Sequence, residues 1–256
     1  MILPLQKGIL YGPINSRRLG KSLGINLMPC GYKLCSFNCV YCHYGLTDVL
    51  DLNVNKHIHD LPNTDVVLDE IEQGMKSSLK FDYLTFSGNG EPTLHPHFRE
   101  ILTAVAVLRN RYRPDVRIAL LSNSSGITHE EVRMSIDKID LPIFKLDAGS
   151  EKRFKQINRP AQGVSLEKVF ESLKSIKGIY IQTVLMSGNP SNVSKQDLDN
   201  YFEKIATIEP VEVQIYSLDR PVPNENIKRV VPTQLKQIAA TGLKKTGVKI
   251  TAYYRK

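Results

Sequence analysis

Residues 65–93 read DVVLDEIEQGMKSSLKFDYLTFSGNGEPT. Asp65–Leu79 carries apolar residues at helical spacing on one face, Tyr83–Ser87 is a short β-rich run, and Gly88-Asn89-Gly90 is a turn. A helix, a strand and a glycine turn in that order are one βα repeat, and such repeats wind a parallel sheet. Working outward, the alternation predicts strands at Gly24–Met28, Arg117–Ser122, Ile143–Asp147, Ile179–Leu185 and Val211–Leu218, with a last one at Val248–Tyr253. Helices are expected at Pro96–Asn110, His129–Lys138, Ser165–Lys177, Lys195–Thr207 and Thr233–Thr246. Ser165 can cap its helix, although Lys168 stands where a capping box has an acid or amide. About six βα units result. The expected fold is α/β, a partial (β/α)6 barrel in a single domain over 1–256, with an N-terminal extension (1–23), a core (24–223) and a C-terminal helix and strand (224–256).

The composition suits one folded domain. A chain of 256 residues buries a substantial core, and 41% hydrophobic with 23% charged residues is ordinary for a globular protein. No Pro/Gly/Ser-rich linker or further repeat divides it. Apolar runs stay short of the roughly 18 residues of a membrane helix. MILPLQKGILYGPINSRR lacks the pattern of a cleaved leader, so a cytoplasmic location without a membrane partner is expected. The net charge of +8 favours an anionic partner, but Lys244, Lys245, Lys249, Arg255 and Lys256 read more simply as a solvated face.

The strand at Gly24–Met28 runs into a loop holding all four cysteines, Cys30, Cys35, Cys39 and Cys42. Such crowding suits a metal site better than disulfides. Cys35, Cys39 and Cys42 have the spacing Cys-x3-Cys-x2-Cys, and three thiolates can hold three corners of an iron–sulfur cube, leaving one iron open. Zinc is the alternative, with Cys30, His43 or His57 as fourth ligand. Elsewhere, polar residues cluster at strand ends, where parallel α/β folds gather ligands. These are Gly88-Asn89-Gly90-Glu91, Ser122-Asn123, Lys145 and Asp147, then Gln182, Gln214 and Tyr216. Lys145 and Asp147 also read as a core ion pair, and each glutamine as bonded to nearby backbone. Asn15, Arg17 and Arg18 lie before the first strand, where paired arginines suit a carboxylate or phosphate, or form a solvated turn.

The cysteine spacing, with Tyr41 directly before the last cysteine, resembles the radical S-adenosylmethionine (SAM) superfamily. That resemblance implies a 4Fe–4S cluster on Cys35, Cys39 and Cys42, SAM on the open iron, and Tyr41 near the adenine. Gly88-Asn89-Gly90-Glu91 looks like the family's glycine-glycine-glutamate motif, which holds the cofactor's amino group, except that Asn89 replaces a glycine. Ser122, Asn123 and Asp147 then fall where members contact the ribose or carboxylate, and Gln182 and Leu218 join the cofactor set. Asn15, Arg17, Lys145, Gln214 and Tyr216 are the expected substrate contacts, with Lys145, Asp147 and Tyr216 catalytic. The stretches Gly12–Gly24 and Gln214–Pro221 resemble a branch related to tRNA wyosine-base synthases, the likeness spanning Gly12–Pro223.

Wyosine synthases carry further cysteines for a second cluster, and only Cys30 is spare here. Relatives that cleave the modified nucleobase queuine during salvage suit a compact domain with amide-lined strands. A carbon–nitrogen lyase acting on a small-molecule nucleobase is therefore the expectation, with an external one-electron reductant such as flavodoxin or ferredoxin. A tRNA base is the alternative substrate, and an electron carrier or zinc-stabilised binding protein the alternative class.

Overall fold

The computed structural model describes residues 2–255. In chain order its elements are β1 (Leu10–Ser16), β2 (Gly20–Ile25), β3 (Leu34–Cys35), β4 (Val49–Leu50), α1 (Thr64–Lys76), β5 (Tyr83–Phe86), α2 (Phe98–Tyr112) and β6 (Arg117–Ser122). There follow α3 (Glu130–Arg133), β7 (Leu141–Lys145), α4 (Glu151–Ile157), α5 (Leu166–Lys174), β8 (Tyr180–Val184), β9 (Met186–Gly188) and α6 (Lys195–Ile208). The chain closes with β10 (Glu212–Tyr216), β11 (Ile227–Arg229), α7 (Pro232–Thr246) and β12 (Ile250–Tyr253).

The main sheet has the order β1-β2-β5-β6-β7-β8-β10-β12. Every neighbouring pair is parallel except the β1–β2 hairpin. Parallel strands laid down in sequence order, with helices returning between them, give the expected α/β partial barrel, open between its edge strands β1 and β12. The two-residue period of the strands divides the apolar residues between two faces. Ile25, Leu84, Phe86, Leu120, Phe144 and Val213 join the main core with the helices. In that core Phe86 meets Phe98 of α2 edge to face at 5.5 Å, a geometry worth about 0.5–1.5 kcal/mol beyond burial. On the inner face Leu19, Ala119, Leu141 and Ile143 form a smaller cluster. Side chains cap the starts of α5 and α6: Ser165 Oγ accepts from Lys168 N at 3.3 Å, and Ser194 Oγ from Asp197 N at 3.2 Å.

The differences from expectation have local causes. β2 starts at Gly20 and stops at Ile25 because Asn26 folds back, its Nδ2 donating to Met28 O at 2.8 Å. The stretch expected as an extension supplies β1 and most of β2. Within His129–Lys138 only the short α3 and a 3-10 turn (Ile136–Lys138) form. There Ser135 Oγ bonds to Val132 O at 2.7 Å, and Arg133 reaches back to Ile127 O at 2.8 Å. α4 was not expected; Ser150 caps it.

Candidate active site

The cysteine loop leaves β2 and lies along residues 157–161. Asn38 N donates to Asn158 O at 3.0 Å, Val40 N to Ile157 O at 3.0 Å, and Ala161 N to Ser36 O at 2.8 Å. From the other side Leu3 N donates to His43 O at 2.8 Å, and Gln6 Nε2 to Tyr44 Oη at 2.9 Å. Cys35 is buried, Cys39 and Cys42 are half-buried, and Cys30 is exposed. Burial pushes the Cys35 thiol up to about 11 and the Cys39 thiol up to about 12, with the neighbouring thiols adding to the rise. Bare thiolates are unfavourable in such a place, so cationic iron is the natural compensation. Cys35, Cys39 and Cys42, on one loop, are the three thiols that would hold three corners of an iron–sulfur cube.

Gly88 and Gly90 are glycines for reasons of space. A Cβ on Gly88, whose φ is +123°, would meet Asn26 Oδ1 at 2.6 Å, and one on Gly90 would meet Leu34 O at 1.9 Å. The β5 turn is therefore pressed against the start of the cysteine loop. Asn89 is buried, and its side chain is engaged: Oδ1 accepts from Gln6 N at 2.7 Å, and Nδ2 donates to Gln6 O and Pro29 O, each at 2.9 Å. With Asn89 N donating to Asn26 Oδ1, only the backbone carbonyl of Asn89 is left for a cofactor. Glu91 is also turned inward. Its carboxylate accepts from Thr93 Oγ1 at 2.5 Å, Ser122 Oγ at 2.8 Å and Asn123 N at 2.5 Å. Burial raises its pKa, and these donors work against that rise. Glu91 thus ties the end of β5 to the end of β6. Asn123 Nδ2 in turn reaches Cys35 Sγ at 3.5 Å and Ser36 Oγ at 3.0 Å.

Asp147 is as heavily used as Glu91. Lys145 Nζ lies 2.9 Å from it, Val184 N and Asn158 Nδ2 each donate at 2.9 Å, and Tyr41 Oη also donates. Burial opposes the charge on Lys145, but Asp147 and Tyr216 outweigh it and raise the ammonium pKa. Lys145 Nζ also reaches Tyr216 Oη at 3.3 Å. Across the sheet Lys145, Gln182, Gln214 and Thr251 stand in one register, with Gln182 Nε2 donating to Gln214 Oε1 at 3.4 Å. Tyr41, Tyr216 and Leu218 meet in one apolar cluster with Val40 and Val184.

Lys145, Asp147, Tyr41, Tyr216, Leu218, Gln182 and Gln214 are thus brought together beside the cysteine loop, and Gly88 to Glu91, Ser122 and Asn123 lie on its other flank. Asn15 is exposed on β1, and Arg17 is paired with Asp219, so neither joins the group. Three further residues border the site, of which Asn158 and Asn26 gave no motif to read. Asn158 Nδ2 lies 3.5 Å from Cys39 Sγ. Asn26 Oδ1 accepts from Asn89 N at 3.0 Å. Arg18, unlike Arg17, turns toward Tyr216.

A half-barrel whose first strand delivers three thiols, and whose strand ends surround them with polar residues, defines a class of iron–sulfur enzyme fold. The Radical SAM superfamily model matches residues 31–205, and the chain belongs to that superfamily, whose members use a 4Fe–4S cluster and SAM. A Brachyspira hyodysenteriae protein named GTPase Obg is 30% identical over 223 residues, covering 86% of this chain and 31% of that protein. A UPF0026 protein of Methanocaldococcus jannaschii is 40% identical over 176 residues, covering 67% of this chain and 50% of its own length. The chain therefore spans half or less of these two relatives. Among solved structures, TYW1 with a lysine–pyruvate adduct superposes with a TM-score of 0.59 at 15% identity, covering 89% of this chain and 74% of that one. The likeness is one of fold. No helix among the described residues is long and apolar enough to cross a membrane.

Proposed function

We propose that residues 1–256 form one radical SAM domain that works in the cytoplasm on a small, planar, polar substrate. Our reading of the reaction is carbon–nitrogen bond cleavage in a modified deazapurine nucleobase, with queuine as the type compound. The observation that carries it is the single register of Lys145, Gln182 and Gln214 beside Tyr216 and the cysteine loop. Paired amides on an inner barrel face offer donors and acceptors in one plane, which suits a base edge.

When bound, the cluster and SAM supply reductive carbon–sulfur cleavage and a 5′-deoxyadenosyl radical. In our reading the thiols of Cys35, Cys39 and Cys42 hold the cluster, and backbone at Gly88–Gly90 meets the cofactor's amino group. Tyr41 and Leu218 wall the adenine, while Ser122, Asn123 and Gln182 complete the polar cradle. Lys145, kept charged by Asp147, donates toward the substrate. A charged ammonium is a poor nucleophile, so Lys145 serves as a donor and not as a Schiff-base former.

The test is anaerobic. Protein reconstituted with iron and sulfide is given SAM with dithionite, or with reduced flavodoxin or ferredoxin, and 5′-deoxyadenosine is measured. None formed on an intact cluster would end the enzyme reading and leave an electron carrier. Queuine and tRNA are then supplied separately. Turnover of queuine to a base-sized product supports the lyase, whereas turnover of tRNA alone supports the second reading, which the net charge of +8 favours.

A further inference from the structure

The hairpin between β1 and β2 reaches across the opening of the half-barrel. At its tip Arg17 pairs with Asp219, in the segment that follows β10. Leu19 is anchored in the inner cluster with Ala119 and Ile143. Between these two fixed points Arg18 is directed inside, its guanidinium carbon 4.9 Å from the Tyr216 ring centroid and 5.9 Å from that of Tyr253.

Among the described residues that guanidinium has no hydrogen bond and no ion pair. Nearby, Asp219 pairs with Arg17 through Oδ2 while its buried Oδ1 lies 3.4 Å from Arg229 without a hydrogen bond, and Asp147 is held by Lys145. Burial lowers the Arg18 pKa, so the site holds a partly desolvated cation against an unfavourable environment. A second cation, Lys145 Nζ, lies 4.9 Å from the same Tyr216 ring. Packing over an aromatic face steadies a guanidinium but leaves the N–H donors of its planar fork without protein acceptors. The group that satisfies them is an oxyanion offering two acceptor oxygens to the guanidinium fork.

We propose that Arg18 is a specificity residue: the substrate carries a carboxylate or phosphate that Arg18 binds beside Tyr216, with Lys145 adding to the local positive field. This rests on the reading of a small planar polar substrate and narrows it. Queuine carries an amine, so among deazapurines the chamber favours an anionic member over queuine itself. Both oxyanions share one recognition chemistry, and the experiment separates them.

The protein, carrying its cluster and SAM, is titrated calorimetrically with two matched pairs: a 7-deazaguanine bearing a 7-carboxylate against its 7-carboxamide, and guanosine monophosphate against guanosine. At least tenfold tighter binding of the anion in one pair is expected, and the pair that discriminates identifies the oxyanion. Arg18→Gln abolishes the preference and Arg18→Lys keeps part of it. Equal binding within both pairs, or a preference that survives Arg18→Gln, overturns the proposal. If Arg18→Gln does not fold, the wild-type pairs and Arg18→Lys decide. Formation of 5′-deoxyadenosine by wild-type protein without substrate is scored separately, so failure of the radical reading is distinguishable from failure of this one.

Discussion

Asn158 holds its side-chain amide 3.5 Å from Cys39 Sγ, although 119 residues separate the two. The same Nδ2 lies 2.9 Å from Asp147 Oδ2, so one amide joins a predicted cluster ligand to the Lys145–Asp147 pair. Hydrogen bonds to cluster sulfurs stabilise the added electron and raise the potential. Asn158→Ala is expected to make the cluster harder to reduce. For a bond worth about 1 kcal/mol the shift is on the order of 40 mV downward, measurable by electron paramagnetic resonance in a redox titration.

Cys30 is exposed and sits 3.8 Å from Asn26 Nδ2, whereas the other three thiols lie within one another's electrostatic reach. Cys30→Ala is expected to keep the full iron and sulfide content and visible absorbance. Serine at Cys35, Cys39 or Cys42 is expected to lose most of both. Loss of the cluster in Cys30→Ala would show that the ligand set is wrong.

Asp147 is fully buried and Lys145 nearly so, the side chains being 0% and 15% exposed. Removing one partner of such a pair strands the other charge, so Asp147→Asn is expected to cost about 3–5 kcal/mol in urea denaturation. Lys145→Met in the same background should recover much of that loss. A double variant no more stable than Asp147→Asn would mean that Asp147 matters chiefly through Tyr41, Asn158 and Val184.

His95 is 4% exposed, and burial lowers its pKa from 6.5 to about 4. Between those values the unfolded chain takes up a proton that the folded chain refuses. This contribution is therefore complete above about pH 6.5 and lost as pH falls toward 4, amounting to about 3 kcal/mol. His95→Gln removes it, so the stability difference between wild type and variant should shrink on going from pH 7 to pH 4.5. A difference that does not change with pH would show that His95 titrates normally.

The barrel was legible because its strands are short apolar runs separated by amphipathic helices, and that pattern survives without neighbours. Arg117–Ser122 is matched end to end by β6. β1 was not legible, since its Leu10–Ser16 has an exposed and half-buried pattern without a buried face. It is a strand only because β2 pairs with it. In the site, motifs with fixed spacing could be read, the cysteines foremost. Asn89 and Glu91 were placed in the right loop, but spacing alone does not tell which way a side chain turns, and both turn into the protein. Asn158 gave no signal because its partners Cys39 and Asp147 are distant in sequence, and the paired arginines suggested an oxyanion without telling which of the two turns toward Tyr216.

The rung of Lys145, Gln182, Gln214 and Thr251 crosses four neighbouring strands at one level. Its residues alternate along each strand with the helix-facing ones, such as Phe144, Ile181, Val213 and Ile215, so neither set constrains the other. The cysteine loop and the glycine turn follow β2 and β5, which are not among the four strands that carry the rung. Divergence of this scaffold toward a new target can therefore proceed through Gln214 and Thr251, whose exchange leaves the helix-facing core, the Lys145–Asp147 pair and the cofactor cradle in place.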